Sequence, residues 1–148
     1  PQEIRKVVLQ NLAEIGPVSG MNNHEGSLIT ADPDAMSAVL DVVKEKGIYF
    51  LDSRTNSGTA VPVVAKKKGI SIWERAVFLD NTQDRSDIIA AVHNGMKIAE
   101  KGNSAIMIGH IWSNSLASIL AEMYPEMIEQ GYSLSTIARI AAEDGESE

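Results

Sequence analysis

The chain has 148 residues, of which 44% are hydrophobic and 22% charged, a composition that is ordinary for one globular domain with a sizeable core. Its net charge of -7, without a basic cluster that alternates with aromatic residues, argues against nucleic-acid binding. The absence of cysteine excludes disulfides and thiolate metal sites, and no apolar run is long enough to predict a membrane span.

Apolar spacing and turn residues predict alternating helices and strands in the first half of the chain. Residues 3–15 place their apolar side chains on one helical face, and Gly16-Pro17 ends that helix. The further elements predicted in this half are a short strand at 17–21, a helix from Asp32 as N-cap to Lys46 that Gly47 terminates, a strand at 48–52, and a helix at 59–68 that ends at Gly69.

The second half continues the same alternation, and its later strands are apolar. Its predicted elements are a segment at 70–80 that is strand-like at both ends, a helix from Asp84 to Glu100 closed by Lys101-Gly102, a buried strand at 104–110, a helix from Ser113 or Asn114 to about Gln130, and a weak strand or turn and a short helix before the acidic tail at 143–148. This alternation predicts an α/β fold with a parallel sheet.

Polar residues of unusual type follow each predicted strand. His24 follows the first strand, and Asp52-Ser53-Arg54 follow the second. Asp80-Asn81 follow the third, and His110 ends the fourth. The carboxyl ends of parallel strands are where ligands and chemistry gather in α/β folds, and this set of side chains suits metal binding or acid–base catalysis. His93 falls within a predicted helix and is interpreted as an ordinary helix residue.

Each of these motifs also has a structural interpretation. Asn22 and Asn23 tolerate the unusual backbone angles of a turn before Gly26. Asp52-Ser53-Arg54 is compatible with a local ion pair and an Asx-turn, and Asp80-Asn81 with a turn in front of a helix capped by Asp84. These alternatives stay open at this point.

His110 is harder to explain structurally, because a histidine that ends a buried strand needs a polar partner. The adjacent Gly109 lets another group approach the backbone closely. The joint placement of these motifs, more than any one of them, favours a functional site.

The segments "GMNNHEGS", "FLDSRT", "RAVFLDN" and "IGH" occur in this order, and together they resemble the divergent polysaccharide deacetylase family over roughly residues 3–137. The resemblance implies a distorted (β/α) barrel of the glycoside hydrolase and deacetylase type, formed as a single domain by residues 1–148, with its site on the carboxyl rim of the strands. The family usually opens with a strand ending in paired aspartates and then a histidine-bearing strand. Neither is present, so we expect this chain to be the C-terminal portion of the domain.

The resemblance also implies an activity, the removal of acetyl groups from N-acetylated carbohydrate of the bacterial envelope or periplasm with a divalent metal, commonly zinc. In such enzymes the metal polarises the acetamide carbonyl and lowers the pKa of bound water, while a carboxylate accepts the water proton and a histidine protonates the departing amine. The paired aspartates that supply a ligand and the base in the wider superfamily have no counterpart here.

Motif matching assigns expected roles to the residues at the strand ends. His24 matches a metal ligand, and Asn22 and Asn23 are expected to orient its imidazole or to bind sugar hydroxyls. The other matches are His110 as the catalytic acid, Asp52 and Arg54 as charged residues that tune it, and Asp80 and Asn81 as rim residues that contact or support the substrate site.

Two departures from the superfamily pattern are visible. The superfamily's metal motif has a second histidine four residues after the first, and here that position is Leu28. After His110 the chain reads "IWSN", where a more polar or proline-containing turn is expected from many relatives. Trp112 in this segment is interpreted either as a sugar-stacking platform or as a packing residue. A non-catalytic, deacetylase-like protein that binds glycan or a partner is therefore the alternative function, and another metal-dependent hydrolase is a third. Substrate and oligomeric state are not predicted.

Overall fold

In the computed structural model, which describes residues 1–140, the chain forms two compact units that divide between Glu74 and Arg75, each with a hydrophobic core of its own. The acidic tail at 143–148 lies outside the described residues. None of the helices within 1–140 combines the length and the apolarity that crossing a membrane requires. The assignment of residues 1–148 to a single domain stays a prediction.

The first unit is a three-stranded parallel sheet with helices. Its elements are α1 (Gln2–Ile15), β1 (Gly20–Asn22), α2 (Ser27–Ala31), α3 (Pro33–Lys46), β2 (Tyr49–Asp52), α4 (Val61–Lys68) and β3 (Trp73–Glu74). The strand order is β1-β2-β3, with Met21 opposite Phe50 and Leu51 opposite Trp73. Phe50 is buried against α3 and α4 residues such as Leu40.

The helix ends of this unit lie where the sequence predicts them. The Asp32 carboxylate accepts hydrogen bonds from the N–H groups of Asp34 and Ala35, which caps α3. Gly47 and Gly69 adopt the left-handed conformation at the ends of α3 and α4, as expected of C-terminal glycines. The short helix α2 was not predicted, because its five residues carry no periodic apolar pattern.

The second unit contains a two-stranded parallel sheet and two long helices. Its elements are β4 (Val77–Phe78), α5 (Arg85–Gly102), β5 (Met107–Ile108) and α6 (Asn114–Glu129), and residues 137–140 are also helical. β4 pairs with β5 through Val77 opposite Met107 and Phe78 opposite Ile108. The core between the helices and the sheet contains Ile88, Val92 and Ile119.

Two predicted strands are shorter than the sequence suggested. The segment at 70–80 is divided into β3, which pairs with β2, and β4, which pairs with β5. From Ala76 onward the backbone hydrogen bonds go to Ile106 and Ile108, so the change of pairing partner ends one strand and starts the next. The strand predicted at 104–110 is reduced to two residues, since the partner strand is equally short. Helix α5 includes Gly102, and Asn103 ends it in the left-handed conformation.

The mixed α/β class with parallel strands is confirmed. Every strand pair among the described residues is parallel. The strands described in residues 1–140 form two small open sheets, and closure into a barrel is not seen there.

The residue that caps the start of α5 is expected to make the stability of the fold depend on pH in the acidic range. Asp84 caps this helix, and hydrogen bonds from the Ser86 hydroxyl and then from the backbone N–H groups of Asp87 and Ser86 lower the pKa of its carboxyl. A lowered pKa in the folded state stabilises the fold above the ordinary aspartate pKa of about 4, and this contribution is lost as the pH falls through the lowered value. Asp84→Asn keeps a capping oxygen but removes the charge.

We therefore expect the Tm difference between the natural chain and Asp84→Asn to be constant near neutral pH and to shrink below about pH 4. Thermal unfolding followed by circular dichroism over this range measures it. A Tm difference that stays the same down to about pH 2 would show that the charge of Asp84 does not contribute.

Candidate functional site

The carboxylate of Asp80 and the imidazole of His110 form a hydrogen-bonded pair at the carboxyl ends of β4 and β5. His110 Nδ1 lies 3.0 Å from Asp80 Oδ1 and 3.2 Å from Oδ2. The backbone N–H of His110 also donates to Asp80 Oδ2, at 2.9 Å. One carboxylate thus holds both the main chain and the side chain of the histidine, which fixes the ring relative to the strand.

Strand register explains why these two residues meet. Phe78 lies opposite Ile108, and the N–H of Leu79 donates to the Ile108 carbonyl at 2.9 Å. Asp80 and His110 are each two residues beyond this last pair. The Asp80 carboxylate therefore continues the pairing with a side-chain acceptor where the backbone ladder stops.

The burial of the pair is unequal. The side chain of Asp80 is 0% exposed, whereas that of His110 is 34% exposed. A carboxylate beside Nδ1 favours the tautomer with the proton on Nδ1, so the lone pair of the neutral imidazole is on Nε2. Asp80 is thus the polar partner expected for His110, and its role is not limited to the turn in front of α5. Asp84 caps α5 as the turn interpretation proposed.

Gly109 permits close packing behind this pair, as the sequence suggested. A Cβ at Gly109 would lie 2.1 Å from Cδ2 of Leu116, which is buried in the core of the second unit. We expect Gly109→Ala to displace this side chain and to lower the free energy of unfolding by about 1–3 kcal/mol. Urea unfolding measures the loss.

Gly102→Ala is the matched control for this substitution, because a Cβ there would have no heavy atom within 4 Å. Alanine at that position should leave the stability unchanged or slightly increased, since it reduces the entropy of the unfolded chain. Equal stabilities of the two variants would contradict close packing at Gly109.

Trp112 lies directly beside the pair. Its ring stacks on the imidazole of His110, with ring centroids 4.9 Å apart and an interplanar angle of 27°. The residue is nevertheless 63% exposed, so the packing interpretation of Trp112 accounts for only a minor part of its surface. Asn81, the other residue predicted to contact substrate here, is exposed on the loop after Asp80.

In the first unit, the two asparagines of the "NNH" motif hold the segment that follows β2. Asn23 Oδ1 accepts a hydrogen bond from the backbone N–H of Ser53 at 2.8 Å. Asn22 Nδ2 donates to the Ser53 hydroxyl at 3.2 Å. These contacts extend the pairing of β1 with β2 beyond the last backbone partners, Asn22 and Leu51. The asparagines therefore have a structural role in joining the two strand ends.

Asp52 is fully buried at the end of β2. One of its oxygens accepts from the Arg54 backbone N–H at 2.9 Å, and the other accepts from the Thr59 hydroxyl at 2.8 Å. The Asx-type contact proposed for this motif is therefore present. The ion pair of the Arg54 guanidinium is formed with Glu74, whereas the sequence suggested a local pair, and Arg54 itself has a left-handed φ of 48°.

His24 follows this arrangement on an exposed loop. Asn23 Nδ2, next to it, is a buried donor for which residues 1–140 supply no hydrogen-bond partner. Over that same range, no three histidine, aspartate or glutamate side chains come close enough together to hold a metal ion. The described residues therefore do not make up a metal site by themselves.

The structure thus brings the predicted residues together in two groups, one in each unit. The first contains Asn22, Asn23, Asp52 and Arg54, with His24 on the adjoining loop, and the second contains Asp80, His110 and Trp112. Sequence reasoning missed the contributions of Thr59 and Glu74. Thr59 lies at a predicted helix start, and this position could have indicated its role. Nothing local in the sequence pointed to Glu74.

A family model described as divergent polysaccharide deacetylase matches residues 1–141. An uncharacterized protein of Haemophilus influenzae is 38% identical over 112 residues, which cover 74% of this chain and 40% of that protein. The uncharacterized protein YibQ of Escherichia coli is 32% identical over 108 residues, covering 73% of this chain and 34% of YibQ. The chain therefore spans between about a third and two fifths of these relatives.

A solved structure supports the fold. The uncharacterized protein ATU2773 from Agrobacterium tumefaciens C58 superposes with a TM-score of 0.83 over 92% of this chain and 56% of that one, at 18% sequence identity. At this identity the likeness concerns the fold alone. The family match over nearly all of the sequence establishes that the chain belongs to the divergent polysaccharide deacetylase family.

Proposed function

We propose that the protein containing this chain hydrolyses the acetamide of N-acetylated carbohydrate with the help of a divalent metal, and that His110 is its proton donor. The observation that carries the proposal is the hydrogen-bonded pair of a buried Asp80 and a partly exposed His110 at the carboxyl ends of two parallel strands. Family membership supplies the class of reaction.

The chemistry of the pair fits this role. Cleavage of an acetamide C–N bond leaves an amine that must gain a proton, and an imidazolium that donates from Nε2 can supply it. Asp80, which accepts at Nδ1, keeps the ring oriented with Nε2 as the nitrogen available to the departing amine. The Asp80 side chain has no exposed surface, so water does not compete for its hydrogen bond to the histidine.

The metal is proposed on family grounds, with zinc as the expected ion and His24 as one ligand. Because residues 1–140 hold no group of three ligand side chains, further ligands are proposed to come from protein outside this range. The greater length of the relatives leaves room for them. The distorted (β/α) barrel and a location in the periplasm or envelope are likewise proposed from the family.

Supporting roles are proposed for the remaining residues. Asn22 and Asn23 hold the loop that presents His24, and Asp52 and Arg54 hold the end of β2 to which that loop is bonded. Asn81, exposed beside the pair, is proposed to contact substrate. The hydrogen bonds and the exposure of each side chain support these proposed roles.

Acetate release tests the proposal. The full-length protein, freed of metal with a chelator and reloaded with zinc, is incubated with tetra-N-acetylchitotetraose and with a peptidoglycan tetrasaccharide. We expect zinc-dependent release of acetate from at least one of them, and its loss in His24→Ala but not in His93→Ala. Residue His93 is the matched control, since it lies within α5.

A second function, non-catalytic glycan binding, is favoured by the lack of a three-ligand cluster within 1–140. It predicts that zinc-loaded protein binds one of the two glycans and releases no acetate. That outcome would contradict the deacetylase proposal.

A further inference from the structure

The loop after His110 displays two large apolar side chains. Ile111 is fully exposed and Trp112 is 63% exposed. The other tryptophan of the chain, Trp73, is partly buried in β3. Exposure of an indole costs free energy, and at a functional site such a ring commonly binds a ligand.

The loop holds Trp112 in a fixed position. The N–H of Ser113 donates to the carbonyl of His110 at 3.1 Å and closes a turn over residues 110–113. The hydroxyl of Ser113, a residue that is 2% exposed, donates to Gln83 at 2.9 Å and also accepts from the first turn of α6. The indole is further held by the His110 ring. Little conformational entropy is therefore lost when a ligand binds to it.

We infer that Trp112 is a stacking platform for the apolar face of a pyranose ring, and that it holds one unit of a glycan next to the site of His110. The inference rests on the proposed function for the reaction, but its evidence is the exposed, fixed indole. One face of the tryptophan lies on the imidazole. A sugar ring stacked on the opposite face is separated from His110 by the indole, so the unit that reaches the imidazole is a neighbouring one of the same glycan.

The size of this surface favours a sugar over a protein partner. Stable protein interfaces bury about 800 Å² on each side and involve some twenty or more residues. Here the apolar surface of the turn consists of Ile111 and Trp112 alone. A single sugar ring needs no more than one aromatic side chain, whose rigidity keeps the entropic cost of binding low.

The platform also limits the class of substrate. A ring that stacks on Trp112 must have an unobstructed C–H face, as a β-linked hexosamine has. A small alkyl acetamide or an acetylated lysine side chain has no such face. We therefore expect selection for an N-acetylhexosamine unit within a glycan over small acetamides.

Steady-state kinetics of the full-length, zinc-loaded protein test the platform with tetra-N-acetylchitotetraose and the peptidoglycan tetrasaccharide as probes. Trp112→Ala should raise KM about tenfold and change kcat by less than about twofold, because stacking stabilises bound substrate and transition state alike. Trp112→Phe should lie between the natural chain and Trp112→Ala. Ile111→Ala, on the same turn, is the matched control and should leave KM unchanged.

Tryptophan emission gives a second measurement that does not depend on turnover. In a Trp73→Phe background Trp112 is the remaining tryptophan of this chain, and subtracting the emission of the matching Trp112→Phe protein isolates its contribution. Adding either tetrasaccharide to the Asp80→Asn form of the Trp73→Phe protein should shift the emission to shorter wavelength in a saturable manner.

The two measurements separate this inference from the proposed function. Acetate release with a KM that is the same in Trp112→Ala would overturn the platform and leave the deacetylase. A saturable emission shift without acetate release would support the platform and contradict the deacetylase. No emission shift with either glycan would overturn the platform.

Discussion

Replacing His110 by alanine is expected to reduce kcat for acetate release by about a hundredfold to ten-thousandfold, the range over which a positioned general acid contributes to catalysis. The imidazole is the group that Asp80 orients, and its removal leaves the departing amine without a donor. The backbone N–H of residue 110 still donates to the buried Asp80 carboxylate in this variant, and near-ultraviolet circular dichroism checks that the protein is folded.

A control variant and a rescue experiment accompany this substitution. His93→Ala, in the middle of α5, should keep kcat within about twofold of the natural protein, because an ordinary helix residue makes no contact that changes during the reaction. Added imidazole should restore part of the activity of His110→Ala. Full activity of His110→Ala in a folded protein would remove His110 from the mechanism.

Replacing Asp52 by alanine is expected to lower the free energy of unfolding of the first unit by about 3 kcal/mol. The substitution leaves the Thr59 hydroxyl and the Arg54 N–H without the buried carboxylate that accepts from both of them. Trp73 in β3, which pairs with β2, reports this unfolding in a Trp112→Phe background. Urea titrations followed by Trp73 emission measure the loss.

Asp52→Asn is the matched variant, because an amide oxygen still accepts from the Arg54 N–H and the amide N–H can donate to Thr59. We expect it to lose less than half as much stability as Asp52→Ala. The pair of variants also tests the catalytic role predicted for Asp52. A folded Asp52→Asn protein that releases no acetate would mean that the charge takes part in the reaction, and a fully active one would support the structural role.

The helix ends were predictable because their signals are local. Asp32 before Pro33, and the glycines at positions 47 and 69, each act within one turn of the helix that they delimit. Strand lengths were overestimated at 70–80 and 104–110, since the length of a strand depends on how far its partner runs alongside it. An apolar run carries no information about that partner.

The sequence predicted which types of residue lie at the strand ends, but it did not predict which of them are in contact. Polar residues at the carboxyl ends of the strands were visible in the sequence, and all of them lie there in the structure. The contact between Asp80 and His110 spans 30 residues, as does that between Asn23 and Ser53, and neither follows from a local pattern. The sequence prediction assigned Asp52 and Arg54 as the residues that tune His110. In the structure, the carboxylate that contacts its ring is that of Asp80.

The most direct test of the central claim, that Asp80 and His110 act as one catalytic unit, is kcat/KM for acetate release in Asp80→Asn, His110→Ala and the double variant of the full-length protein. Residues that act as a unit show non-additive losses. We expect both single variants to be impaired and the double variant to be no slower than His110→Ala. Independent losses that multiply in the double variant, or unimpaired single variants, would contradict the claim.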